Sequence, residues 1–109
     1  MTTYFRTKVE SNIGTTPVDI LIATPTSIYT LIGLSLANTT DNDIIVDVTI
    51  TDTDETTGYY IKQLIIPPYT SAKLVQQGEK IILGNNSYLT IVSDTEDSID
   101  AIASYAEIA

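Results

Sequence analysis

The sequence predicts an all-β protein, a single β-sandwich of roughly seven to nine antiparallel strands, on three observations. The first is composition: 17 Ile, 6 Val and 18 Thr together supply 41 of the 109 residues. Branching at Cβ restricts χ1 in a helix but packs well on a pleated surface. The second is alternation, clearest where Val46, Val48 and Ile50 take one face and Asp47, Thr49 and Thr51 the other, as a sheet with one wet side requires. The third is punctuation. Turn signals recur about every 8–12 residues, the spacing of a jelly-roll or immunoglobulin-like sandwich.

The elements follow in order. A first strand runs from Tyr4 to Glu10 and ends at Ser11-Asn12 and Gly14; a second runs from Val18 to Ala23 and stops at Thr24-Pro25-Thr26. The third, Ile28 to Ala37, places Ile32, Leu34 and Leu36 on one face and Leu31, Gly33 and Ser35 on the other. Asn38 to Asp43 is a turn cluster before the alternating fourth strand, and Asp52 to Gly58 is an acidic, Thr-rich loop after it. The fifth strand, Tyr59 to Ile66, meets Pro67-Pro68. Neither proline donates to a ladder, so the pair marks an edge or a bend between sheets. Ser71 to Val75 reads as a sixth strand, turned by Gln76-Gln77-Gly78 into a seventh at Lys80 to Leu83. Gly84-Asn85-Asn86 tolerates positive φ and reads as a tight hairpin leading into Tyr88 to Val92. After the acidic loop Asp94 to Asp97, Ile99 to Ile108 closes the chain as a strand, with a short helix the competing reading. No linker, charge shift or internal repeat divides the chain. Residues 1–109 read as one domain, with 1–9 either a docking arm or an edge strand.

Composition excludes several function classes. There is no Cys, His or Trp, and five basic residues face fourteen acidic ones for a net charge of −9. That removes a disulfide framework, the usual zinc sites, thiol or Ser/His nucleophiles and an imidazole base. So acidic a surface repels phosphate, which argues against nucleic acid as a partner. No apolar run approaches the ~18 residues of a membrane span. Asp41-Asn42-Asp43, Asp52-Thr53-Asp54-Glu55 and Asp94-Thr95-Glu96-Asp97 supply carboxylates of the kind calcium takes. None has the spacing of a twelve-residue calcium loop, and the expectation is solvated loops without a tight metal site. Asp47 and Glu55 are the one carboxylate pair considered for glycoside hydrolysis, which requires a cleft; a chain of this size has little room for one. The chain is therefore expected to carry no catalytic residue, metal or cofactor. The seven Tyr serve either as large core residues or as a binding surface.

The one asymmetric feature is N-terminal. Residues 1–9 hold Arg6 and Lys8 and no acid, whereas residues 10–109 hold three basic and fourteen acidic residues, or −11. Tyr4 and the only Phe, Phe5, share the basic stretch. Tyr4, Phe5, Arg6 and Lys8 are thus the candidate partner-binding residues.

Three stretches carry a resemblance. They are Leu36-Ala37-Asn38-Thr39-Thr40 followed by Val46-Asp47-Val48-Thr49-Ile50; Ile65-Ile66-Pro67-Pro68-Tyr69-Thr70-Ser71 leading through Leu74-Val75 to Lys80-Ile81-Ile82-Leu83; and Tyr88-Leu89-Thr90-Ile91-Val92 with a closing Ser104-Tyr105-Ala106-Glu107-Ile108. Over about residues 17–109 the chain resembles the small β-sandwich virion proteins of tailed bacteriophages. The resemblance implies a decoration (cement) protein that binds the outside of the capsid lattice, on the major capsid protein or another virion protein, as a homo-oligomer expected to be a trimer. The alternative is a neck, tail or fibre component that recognises the host surface. Either way it implies assembly in the host cytoplasm, location in the virion and no membrane partner. The charge agrees with it, since a −11 body is repelled from packaged DNA.

Overall fold

The computed structural model describes residues 2–75 and 78–109. Among them it forms nine strands: β1 Thr3–Ile13, β2 Val18–Ile22, β3 Ile28–Asn38, β4 Ile44–Thr51, β5 Thr57–Ile66, β6 Ser71–Val75, β7 Ile81–Leu83, β8 Tyr88–Ser93 and β9 Ile99–Ile108. Sheet I has the order β1-β9-β3-β6, with β7 also on β3; sheet II has the order β2-β8-β4-β5. Every pairing is antiparallel. The connectivity is that of one long hairpin rolled up. β4 and β5 form its closing turn, and β3 then pairs with β6 and β7, β2 with β8, and β1 with β9. β6 and β7 behave as a single interrupted strand, one beside Leu34–Ala37 and the other beside Tyr29–Leu31. Of the two sandwich types the sequence allows, this is the jelly roll. An immunoglobulin sandwich would pair several sequence neighbours; here only β4 and β5 do so.

Alternation sets most of the strands. In β4, Ile44, Val46 and Val48 are buried, and Asp47 and Thr49 point out. β9 is a strand rather than the competing helix, because Ile99, Ala101, Ala103 and Tyr105 alternate inward between ladders to β1 and β3. The small alanines let the two sheets approach at mid-strand. Pro67-Pro68 does mark a bend between sheets, since β5 lies in sheet II and β6 in sheet I.

Two expectations need correction. In β3 a register shift between Leu31 and Gly33 inserts Ile32 as an extra residue. Leu31 therefore joins Tyr29, Leu34 and Leu36 in the core, and Ile32 is exposed. A bulge reverses the phase of an alternating pattern, and the sequence alone extends that pattern unbroken. Gly84-Asn85-Asn86 does turn, with Ser87 N–H donating to the Gly84 carbonyl at 3.0 Å and Asn86 at φ 63°. It is no hairpin, however, since β7 belongs to sheet I and β8 to sheet II. The turn expected at Gln76-Gln77-Gly78 lies mostly outside the described residues; Gly78 itself sits at φ 88°.

The core is aliphatic, with Leu31, Leu36, Ile44, Val46, Val48, Leu89, Ile91 and Ile99 fully buried. The Tyr question divides. Tyr29 and Tyr105 are core residues whose rings stack at 4.8 Å. Tyr60 is half-buried and donates its hydroxyl to the Leu74 carbonyl at 3.0 Å, closing the β5–β6 side of the sandwich. Tyr4, Tyr59 and Tyr69 are exposed. The corner after β3 is held by Asn38, 2% exposed. Its amide donates to the carbonyls of Asn42, Ile66 and Pro67 at 2.8–3.0 Å, and its oxygen accepts the Thr40 N–H at 2.9 Å.

Candidate docking surface

The four candidate residues lie on β1, the edge strand of sheet I, and pair with β9 across the ladder: Tyr4 opposite Glu107, Phe5 opposite Ala106, Arg6 opposite Tyr105 and Lys8 opposite Ala103. Side chains of a strand alternate between faces. Tyr4, Arg6 and Lys8 therefore sit on the side that carries Tyr105 and Ala103, and Phe5 sits alone on the outer face. The structure does not bring the four to one surface. It also gives the two cations partners within the chain. Arg6 Nε donates to Glu107 Oε1 at 2.7 Å, its guanidinium lies 4.9 Å from the Tyr4 ring, and Lys8 Nζ is 3.5 Å from Glu10 Oε1. The Glu107 hydrogen bond, then its charge, holds the Arg6 pKa above its ordinary value. Beneath them a shallow groove of about 250 Å³ is lined by Lys8, Asp19, Leu21, Tyr29 and Tyr105.

On the outer face the ladders assemble a surface that the sequence did not reveal. One row runs Phe5, Ala106, Thr30, Ile82 across β1, β9, β3 and β7; another runs Val9, Ile102, Ser35, Lys73. Phe5 is 79% exposed, Ile82 69% and Ile102 47%. Ile28 and the bulged Ile32 are exposed beside them. Among the described strand residues the only charges on this face are Lys73 and Asp100, both toward one end. Four strands at ~4.8 Å spacing, with rows ~6.8 Å apart along them, make several hundred Å² of nearly uncharged sheet. Alternation in β9 marks Ile102 as outward, but nothing local says that Phe5 and Ile82 share its face.

The outer face of sheet II is different in kind. Asp19 accepts the Thr90 hydroxyl at 2.7 Å and Asp47 accepts the Gln63 N–H at 2.7 Å, whereas Thr51, expected on this face, is buried with its hydroxyl 2.8 Å from that of Thr57. Asp47 and Glu55 share no cleft, since four residues of extended strand, about 13 Å, separate Asp47 from the end of β4.

The loops Asp41–Asp43 and Asp94–Asp97 meet at one end of the sandwich, where Thr39 N–H donates to the Ser98 carbonyl at 2.9 Å. Several of their carboxylates close their own turns or neighbouring strands. Asp94 accepts the Ile45 N–H at 3.0 Å. Glu96 accepts both the hydroxyl and the N–H of Thr15, which holds its carboxyl below the usual range. Asp52, in the loop at the other end, accepts the N–H groups of Asp54 and Thr56. Among the described residues no three Asp or Glu converge as metal ligands.

No family model matches the chain, and neither does any curated protein sequence. Solved structures do share its fold. The chain is similar to VP2 of infectious bursal disease virus in T=1 particles, with a TM-score of 0.59 and 14% identity over 96% of this chain. It spans only 31% of that VP2 chain. It is also similar to the chain of Bacillus endospore appendages, described as disulfide-linked pili, with a TM-score of 0.60, 12% identity and coverage of 99% of this chain and 88% of that one. A third match is a chain in the acid-stable capsid of Helicobacter pylori bacteriophage KHP30, with a TM-score of 0.54, 9% identity and coverage of 100% and 89%. At these identities the likeness is one of fold.

Proposed function

We propose that the chain is a structural virion protein that packs through the outer face of sheet I onto the outside of a capsid lattice and stabilises it as a decoration protein. The observation that carries this reading is the nearly uncharged apolar face on a chain of net charge −9. Contiguous exposed apolar surface of several hundred Å² marks an interaction site. Phe5, Ile82 and Ile102 anchor it. The end-to-end match to a phage capsid chain of similar length supports the reading, as does the jelly roll shared with a viral coat protein. The reading includes no catalysis. A face of several hundred Å² falls short of the ~800 Å² a standard interface contributes per partner, so binding gains strength from repetition over a shell.

A second reading, a neck, tail or fibre subunit, is favoured by the equally long match to the endospore pilus chain. This chain has no Cys, so a filament of it would be held without disulfides. Quantitative mass spectrometry of purified particles separates the two. Hundreds of copies support decoration, and a dozen or fewer support the neck or tail. Co-sedimentation with particles stripped of the protein tests the face itself: Phe5→Glu should fold and fail to bind, and undiminished binding would overturn the assignment.

A further inference from the structure

The four sheet edges are not equally protected. β2 is five residues long with a register shift between Asp19 and Leu21. β5 carries two register shifts against β4 and a left-handed Gln63. The remaining edge of sheet I is broken into β6, of five residues, and β7, of three. Short length and bulges are the usual devices against edge-to-edge pairing. β1 has neither. It is eleven residues long, contains no Pro, and keeps an unbroken register against β9 from Thr3 to Glu10. Thr3 to Val9 are exposed on both faces, so among the described residues nothing covers the edge. Its two cations, the usual blunting charges, are neutralised by Glu107 and Glu10.

We infer that β1 is a strand-pairing site for the β1 of a second copy, antiparallel about a two-fold axis through Thr7. The pattern is self-complementary in that register. On the outer face Phe5 meets Val9 of the second copy on each side of a Thr7–Thr7 pair, and both are favourable cross-strand combinations. On the other face Arg6 of each copy comes opposite Lys8 of the other, each cation already paired within its own chain with Glu107 or Glu10, so the four ion pairs meet with no net charge. Moving the axis to Arg6 or Lys8 sets Phe5 opposite Thr7 or Ser11 and leaves it without an apolar partner. The joined sheet doubles the nearly uncharged face, toward the size a standard interface needs on one side. The arrangement is two-fold, unlike the trimer implied by the phage resemblance, and it stands whether or not the protein belongs to a virion.

Analytical ultracentrifugation of the full chain up to millimolar concentration tests it, with hydrogen exchange of the β1 amides as a second measure. The wild type should dimerise, and its β1 amides should gain protection as concentration rises. Thr7 is exposed, so Thr7→Lys and Thr7→Glu should fold normally. Each should weaken dimerisation at least about tenfold, by setting like charges opposite each other, and an equimolar mixture should recover it as a heterodimer. A wild type that stays monomeric, or forms only a trimer, would overturn the inference. So would a mixture that pairs no better than either variant alone.

Discussion

The outer faces of the two sheets are made from the same β-branched residues, yet they handle polarity in opposite ways. Sheet II places Asp19 and Asp47 among its outward residues and satisfies each with a hydrogen bond from the same sheet. Lys62 lies 4.1 Å from the exposed Tyr59 ring. Sheet I places Thr, Ser, Ala, Ile and Phe5 there, and among its described strand residues the only charges on that face are Asp100 and Lys73. An exposed Ile is ordinary on either face; what separates the two is whether the groups around it prefer water. Charge distribution, more than apolar content, identifies the binding side of this sandwich.

The widest test asks whether both faces stand on one core. Ile91 is fully buried between the sheets. Ile91→Ala should cost about 2–5 kcal/mol in urea unfolding, and should remove protection from the amides of β3 and β4 alike in hydrogen exchange. Protection lost in sheet II alone would show that the faces are independent. Asn38→Ala comes next. It leaves three carbonyls and the Thr40 N–H without their partner, and should cost about 2–3 kcal/mol by the same measurement.

The comparison itself is tested by a matched pair. Ile82 on sheet I and Tyr59 on sheet II are 69% and 58% exposed, so truncating either should leave the melting temperature nearly unchanged. Ile82→Ala should weaken co-sedimentation with particles about tenfold, in line with ~1.5 kcal/mol or more for burying such a side chain. Tyr59→Ala should leave it unaltered. Equal losses would erase the distinction between the faces. Within β1, Phe5→Ala should weaken binding more than Arg6→Ala, since exposed ion pairs contribute only ~0–1 kcal/mol.

The smallest effect lies at the acidic end. Glu96 is held below its ordinary pKa of 4.5 by Thr15. A depressed carboxyl stabilises the fold above its unfolded pKa, and that contribution disappears as pH falls through the folded value. Thr15→Val should therefore lower stability at neutral pH and converge with wild type below the folded value. In an NMR titration the Glu96 carboxyl of the variant should rise toward the ordinary range without reaching it, because the backbone N–H of residue 15 still donates.

Much of this was legible in the residues. The β-branched content and period-2 alternation gave an all-β chain with strands close to those observed, because both are local properties of a pleated backbone. Pro67-Pro68 announced the crossing between sheets, since neither nitrogen can donate. What needed the tertiary structure was everything set by pairing. Phe5 and Ile82 share a face although they are 77 positions apart, and Arg6 finds Glu107 101 positions away. Register is decided by total burial and by bulges, and one inserted residue, as at Ile32, turns every following side chain to the opposite face. Residue order therefore determined which segments are strands and where they turn. Only the rolled sheets decided which side chains become core, which pair as ions, and which are left as an uncharged face.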